Sequence, residues 1–158
     1  MDDFEGSPEI LHKNLQELDV LNRQFRNHKL IISELKHFLT DKSKVFRIVD
    51  LGCGSGDLLK RIAEWGRKHN YRFELIGVDN HPKVIEYLEE NCKAYPEIRA
   101  LKADVVDCFD QLEKVDLVIS SLFLHHLTDQ ELYKLLGKLK LNVSEGVIIK
   151  DWRRSYVA

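Results

Sequence analysis

From Val45 onward the chain alternates short, β-branched apolar runs with longer segments of helical period. The runs are Val45–Val49, Phe73–Val78, Ile98–Leu101, Val115–Ile119 and Val147–Ile149. Helical periodicity falls at Asp57–His69, Pro82–Lys93 and Asp129–Leu141, and Thr128 with Glu131 fits a capping box opening the last of these. Strands that alternate with helices join through right-handed crossovers, which gives a mostly parallel sheet covered on both faces. The expected fold class is therefore α/β, a doubly wound and mostly parallel sheet. In such sheets ligands bind beyond the carboxyl ends of the strands, where strand order reverses, so chemistry is expected at the strand ends.

Ahead of this pattern lie two further helical segments. Ser7, Pro8 and Glu9 read as an N-cap, a first-turn proline and a first-turn acid, followed by Leu11, Leu15, Leu18, Leu21 and Phe25 at helical spacing. A second amphipathic stretch covers Leu30–Leu39. No repeat, low-complexity tract or linker interrupts the 158 residues, so one domain is expected, with 1–44 as a helical extension and 45–158 as the α/β body. With 24 basic against 26 acidic residues the chain lacks the basic stripe of a nucleic-acid binder, and a small-molecule partner is expected instead. Cys53, Cys92 and Cys108 are odd in number and without CxxC spacing, which speaks against a disulfide framework or a metal cage and for a reducing, cytoplasmic setting. No apolar run approaches the roughly 20 residues that span a bilayer.

The first strand end reads Val49 to Asp57, VDLGCGSGD, with Gly52, Gly54 and Gly56 at alternate positions before a helix. Glycine admits positive φ and lets a ligand approach the backbone, so this loop reads as a ligand loop rather than an ordinary strand-to-helix turn. A dinucleotide loop would be GxGxxG, but the place of its third glycine is taken by Asp57. Asp50, just before the loop, would repel a pyrophosphate and attract a cation. S-adenosylmethionine carries a sulfonium and an ammonium group and suits that sign; a carboxylate that merely caps the loop amides is the structural alternative.

The second strand ends in Gly77, Val78, Asp79, Asn80, His81, Pro82, where an acid can accept both ribose hydroxyls of an adenosine ligand. Asn80 or His81 also fits as a simple N-cap before Pro82. Asp104, with Val105 after it, follows the third strand and can accept from an adenine amino group or stand as a solvated loop acid.

Taken together, VDLGCGSG, LIGVDNHPKVIEYLEEN, ALKADVVD and VDLVISSLFLHHLTDQEL occur in the order found in class I S-adenosylmethionine-dependent methyltransferases, and the chain resembles that family over about Val45 to Asp151. The resemblance implies a Rossmann-like methyltransferase fold and S-adenosylmethionine as cofactor. It places Asp50, Gly52, Cys53, Gly54 and Gly56 around the methionine part, Asp79 and Asn80 at the ribose, and Asp104 with Val105 at the adenine. Ser120 and Ser121 match the position lining the methyl-transfer face. Nothing in the sequence resembles the Asn/Asp-Pro-Pro-aromatic motif of many amino-methylating members.

Leu122 to Asp129, LFLHHLTD, looks like small-molecule members that modify quinones and polyketides. Methyl transfer needs alignment first and a base only where the acceptor must lose a proton. His125, and after it His126, is the candidate base; packing against the sheet or solvation is the structural alternative. The N-terminal helices resemble an acceptor lid, where Arg23, Arg26, His28 and Lys29 would meet an anionic group or form a solvated face. The complete family fold has two more strands after the fifth, whereas the chain ends at Ala158, so a shortened gene product or a homodimer covering the fifth strand is expected. The expected function is methyl transfer to oxygen or carbon of a phenol-, quinone- or polyketide-like acceptor. The alternative is a non-catalytic methyltransferase-like binding domain; a nicotinamide-dependent oxidoreductase has only the general layout and Asp79 in its favour.

Overall fold

The computed structural model describes Lys13, Asn14, Gln16, Glu17 and residues 27–151. The helix start at Ser7, Pro8 and Glu9, the side chains of Arg23 and Arg26, and the last residues from Trp152 lie outside the described residues; Lys13, Asn14, Gln16 and Glu17 are helical. In chain order the elements are α1 (Asn27–Leu35), β1 (Val45–Leu51), α2 (Asp57–His69), β2 (Arg72–Asp79), α3 (Pro82–Cys92), β3 (Ile98–Lys102), β4 (Val115–Ser121), α4 (Asp129–Asn142) and β5 (Val143–Lys150). Short 3₁₀ turns at Cys108–Asp110 and Leu124–His126 flank β4.

All described strand pairs are parallel, in the order β3-β2-β1-β4-β5. The chain thus winds outward from β1 to β3, crosses back to β4, and winds outward again. The doubly wound α/β sheet expected from the sequence is present. Its order reverses between β1 and β4, which opens a crevice at their carboxyl ends.

Each face of the sheet carries one apolar layer. On one side Ile31, Leu35 and Leu39 from α1 and its following turn, Leu59 and Ile62 from α2 and Leu88 from α3 pack against Phe46, Ile48, Leu75, Leu117, Ile119 and Ile148. On the other, Val49, Leu51, Ile76, Val78 and Val118 meet Val105, Cys108, Phe109, Leu135 and Leu139. Burial of these side chains contributes roughly 1.5–3 kcal/mol each before entropic costs, so the layers hold the strand ends in fixed register. The same register aligns Asp50 with Gly77 on one side and with Ile119 on the other.

Helix α1 and strand β5 differ most from the sequence reading, while β1, β2 and β4 run one or two residues beyond the expected apolar runs. α1 begins at Asn27 and ends at Leu35 rather than running from Leu30 to Leu39; Leu30 is 54 % exposed, while Leu39 reaches the core from the turn that follows. Asn27 is buried and bonded by the Lys150 ammonium, which ties the start of α1 to the end of β5. β5 starts at Val143, where it follows α4 directly with Val143 as the helix C-cap, so the polar Ser144 and Glu145 belong to the strand. The Thr128–Glu131 capping box is formed, with the Thr128 hydroxyl accepting from Glu131 N–H at 3.3 Å and Glu131 accepting from Thr128 N–H at 2.7 Å.

Candidate functional site

A cleft of about 140 Å³ opens at the order reversal. The end of β1 and the loop after it supply Asp50 and Gly52 to Ser55; the start of α2 supplies Asp57 and Leu58; the end of β4 supplies Ser121 and Leu122; α1 supplies His28.

All three loop glycines have positive φ. Gly52 lies under Phe123, so closely that a Cβ would stand 2.2 Å from two ring carbons. A Cβ on Gly54 would instead meet nothing within 4 Å and would project into open space. The loop is pinned from below: Gly52 and Cys53 N–H both donate to Val78 O, at 2.9 and 3.1 Å, and Gly56 N–H donates to Cys53 O at 3.0 Å. A polar network braces its far end. Ser55 Oγ donates to Asp57 at 2.7 Å, Lys60 pairs with Asp57 at 2.8 Å and donates to Asn91 at 2.8 Å, and Asn91 Nδ2 donates to Ser55 O at 2.7 Å.

Asp50 is 3 % exposed and its carboxyl accepts no hydrogen bond among the described residues, yet it borders the cleft. Burial, and then the charge of nearby Asp79, pushes its pKa up to about 8. An acid placed so, with no hydrogen-bond partner among the described residues, suits a cationic group entering the cleft. That observation tests whether the residues fit S-adenosylmethionine, and they do. Among the described residues no loop amide donates to the Asp50 carboxyl, the bond that the capping alternative requires.

Asp79 lies at the end of β2. Its carboxylate accepts from His81 N–H at 2.9 Å and from the amides of Gly54 and Asn80, while burial raises its pKa. His81 occupies the N-cap of α3 without a side-chain cap bond, and its Nδ1 is sealed from solvent with no hydrogen-bond partner among the described residues. Asn80 is exposed beside it. Asp104 is exposed and accepts from Val106 N–H at 2.8 Å, closing the turn after β3; Val105 is buried in the second apolar layer.

Of the paired serines, Ser120 is buried and donates to Leu51 O at 3.3 Å, bridging β4 to β1, whereas Ser121 is the one that borders the cleft. Cys53 sits in the loop wall, and burial holds its thiol well above the ordinary value, which fits a packing residue rather than a nucleophile.

His125 lies in the turn after β4. Its Nδ1 is 2.6 Å from Asp151 Oδ1, and its backbone N–H donates to Asp151 Oδ2 at 2.9 Å. A carboxylate there fixes the tautomer with the proton on Nδ1. His126 is exposed and tilted against the rings of Phe123 and His125. Leu122, at φ 55°, is a non-glycine residue in the left-handed region, held by its N–H bond to Lys150 O at 2.7 Å. The sequence reading gave no role to Asp151, although it stands at the carboxyl end of a strand, one residue past β5, much as Asp50 and Asp79 stand at the ends of β1 and β2. His28 was grouped with a basic helix face, and nothing in a single sequence says which way that face turns.

Among the described residues no set of His, Cys, Asp and Glu gathers to hold a metal, and no helix is long and apolar enough to cross a membrane.

Residues 48–146 match the family described as Methyltransferase domain, more than half of the chain. Ribosomal protein L11 methyltransferase of Clostridium botulinum is 30 % identical over 125 residues, covering 76 % of this chain and 36 % of that protein. Carboxy-S-adenosyl-L-methionine synthase of Shewanella piezotolerans is 26 % identical over 136 residues, covering 83 % and 54 %. The chain thus spans between about a third and about half of the length of these curated relatives. A TehB-like SAM-dependent methyltransferase from Corynebacterium glutamicum shares the fold with a TM-score of 0.65 at 18 % identity, over 94 % of this chain and 78 % of that one.

Proposed function

The chain belongs to the class I S-adenosylmethionine-dependent methyltransferases, with S-adenosylmethionine as its cofactor, and from that premise we propose that it methylates an oxygen or carbon of a small organic acceptor. The acceptor class is phenol-, quinone- or polyketide-like. When bound, the cofactor supplies a methyl group made electrophilic by its sulfonium. Asp50 answers positive charge at the methionine end, Asp79 with Asn80 takes the ribose, and the turn at Asp104 and Val105 borders the adenine. Gly54 leaves the space a side chain would fill.

The observation that carries this reading is Asp50, a buried acid that accepts no hydrogen bond from the described residues, where the strand order reverses. Support for the acceptor comes from the end of β4, where Ser120, Ser121, Leu122 and Phe123 stand in place of the amino-methylating motif. The ribosomal protein named for one relative is a substrate of that protein, whose length this chain covers by 36 %.

His125 is the residue assigned to remove an acceptor proton. Asp151 keeps the proton on Nδ1, so Nε2 is the nitrogen that would act as base. His126, exposed, is the second choice. Residues 1–44 form the acceptor-side extension to the α/β body of 45–158, a role supported by His28 at the cleft. The free buried cysteines suit the cytoplasm. Exposed Val147 and Ile149 support a second copy as a cover for β5, to be checked by light scattering against a Val147→Lys variant. No nucleic-acid partner is proposed for a chain of net charge −2.

Product formation from S-adenosylmethionine with a panel of phenols and hydroxyquinones, read by mass spectrometry, tests the function. Methylated oxygen or carbon products are expected. Cofactor binding with no product across the panel would turn the reading toward the binding-domain alternative.

A further inference from the structure

We propose that the Lys150 ammonium receives an anionic group of the acceptor, so that the site favours phenol-like acceptors that also carry a carboxylate. The proposal rests on the acceptor reading above and narrows it.

Lys150 closes β5 beside the cleft. In the β4–β5 register it stands opposite Ser121, and its carbonyl accepts from Leu122 N–H at 2.7 Å; both of those residues border the cleft. Residues paired across parallel strands point to one face of the sheet, so the Lys150 side chain leaves on the face of Ser121, Ile119 and Ile148, the face on which α1 packs. There its ammonium donates to the side-chain oxygen of buried Asn27, the residue before His28 of the cleft. The charge is thus held between α1 and the end of β4, on the side that the reading above gives to the acceptor.

Nothing charged answers it there. An ammonium has three N–H donors, and Asn27 takes one without bringing a charge. Among the described residues no carboxylate pairs with Lys150. The acid next in the chain, Asp151, is turned to His125, engaging its backbone N–H and its Nδ1. Lys44, ahead of β1, shows the contrast: it pairs with Asp116 at 2.6 Å and with Glu145 at 3.0 Å. A half-buried lysine with an uncharged partner keeps its charge for an incoming anion, and the pair strengthens as water leaves. It also offsets the repulsion that Asp50 and Asp57, which border the cleft, exert on such an acceptor. Because Asn27 already holds the side chain, little rotamer freedom is lost when the anion arrives.

Calorimetry on the full chain saturated with S-adenosylhomocysteine tests this with the three isomeric hydroxybenzoates against the matching hydroxybenzamides, which keep the phenol and the shape and lack the charge. For at least one isomer the wild type is expected to prefer the benzoate by about tenfold or more, the worth of one charge-assisted hydrogen bond. Lys150→Gln, which keeps a donor for Asn27 and loses the charge, is expected to erase that preference by weakening the benzoate alone, and Lys150→Arg to keep most of it. Unchanged affinity for S-adenosylhomocysteine in both variants serves as the control for folding. A wild type that binds no benzoate, or prefers none over its amide, overturns the assignment. So does a Lys150→Gln variant that weakens benzoate and benzamide equally or leaves the preference as it was. A preference that depends on Lys150 without methylated product from these benzoates would uphold the anion site and overturn the acceptor reading beneath it.

Discussion

Asp151 grips His125 at two points, accepting from its backbone N–H at 2.9 Å and standing 2.6 Å from its Nδ1, although the two are far apart in sequence. One carboxylate thus sets both the path of the turn after β4 and the tautomer of the ring. Asp151→Asn can keep the backbone contact but leaves the tautomer unset. It is expected to lower kcat by roughly 10- to 100-fold, as loss of an orienting partner does, with little change in S-adenosylhomocysteine affinity. The loss should be larger for weakly acidic phenols than for acidic nitrophenols, which surrender their proton unaided. Equal losses across acceptor acidity would show that the pair is structural.

Gly52 and Gly54 should separate stability from binding. Gly52→Ala would force Cβ into the Phe123 ring and is expected to lower Tm strongly. Gly54→Ala meets no atom within 4 Å, so it should cost only the ~1 kcal/mol of an alanine at positive φ while raising the Kd for S-adenosylhomocysteine by tenfold or more. Thermal melts and calorimetry on the two variants check the split.

Asp50 titrates at about 8 in the folded chain against an ordinary 3.8, so between those values the folded state holds the extra proton. Stability is therefore expected to fall as pH rises through that window, where the buried carboxyl must ionise. Asp50→Asn should flatten the fall in Tm between about pH 5 and pH 8.5 and still bind the cofactor poorly. Binding of S-adenosylmethionine near pH 7 should release a fraction of a proton from Asp50, visible as a dependence of the calorimetric heat on buffer ionisation enthalpy. A heat that does not vary with buffer would contradict this.

Asn91 braces the glycine loop from α3 without bordering the cleft. Asn91→Leu removes its donor to Ser55 O and, if the loop serves the methionine end as proposed, is expected to weaken S-adenosylhomocysteine about tenfold, yet adenosine far less. Matching losses for both ligands would assign Asn91 to general folding.

Much of the site was legible because its chemistry is local. Three glycines at alternate positions, an acid before them and an acid ending the next strand each carry their meaning within a few residues, and helix starts at Asp57, Pro82 and Asp129 have their own signals. What stayed hidden depends on distance or on facing. Asp151 meets His125 only because β5 lies beside β4. Ser120 and Ser121 differ only in which side of the strand they take, and one residue decides between a bond to Leu51 and the cleft. The start of β5 was missed because α4 runs into it without a turn, and α1 was displaced because Asn27, buried against Lys150, does not look like part of an apolar stripe.

The central claim is that the cleft holds S-adenosylmethionine. Its most direct test is a calorimetric titration of the chain with S-adenosylmethionine and S-adenosylhomocysteine, alongside NAD and with Asp79→Ala as control. Saturable binding of the two adenosyl ligands, much weaker for NAD and reduced by Asp79→Ala, is the predicted result; a folded chain that binds neither ligand, or that prefers NAD, would contradict it.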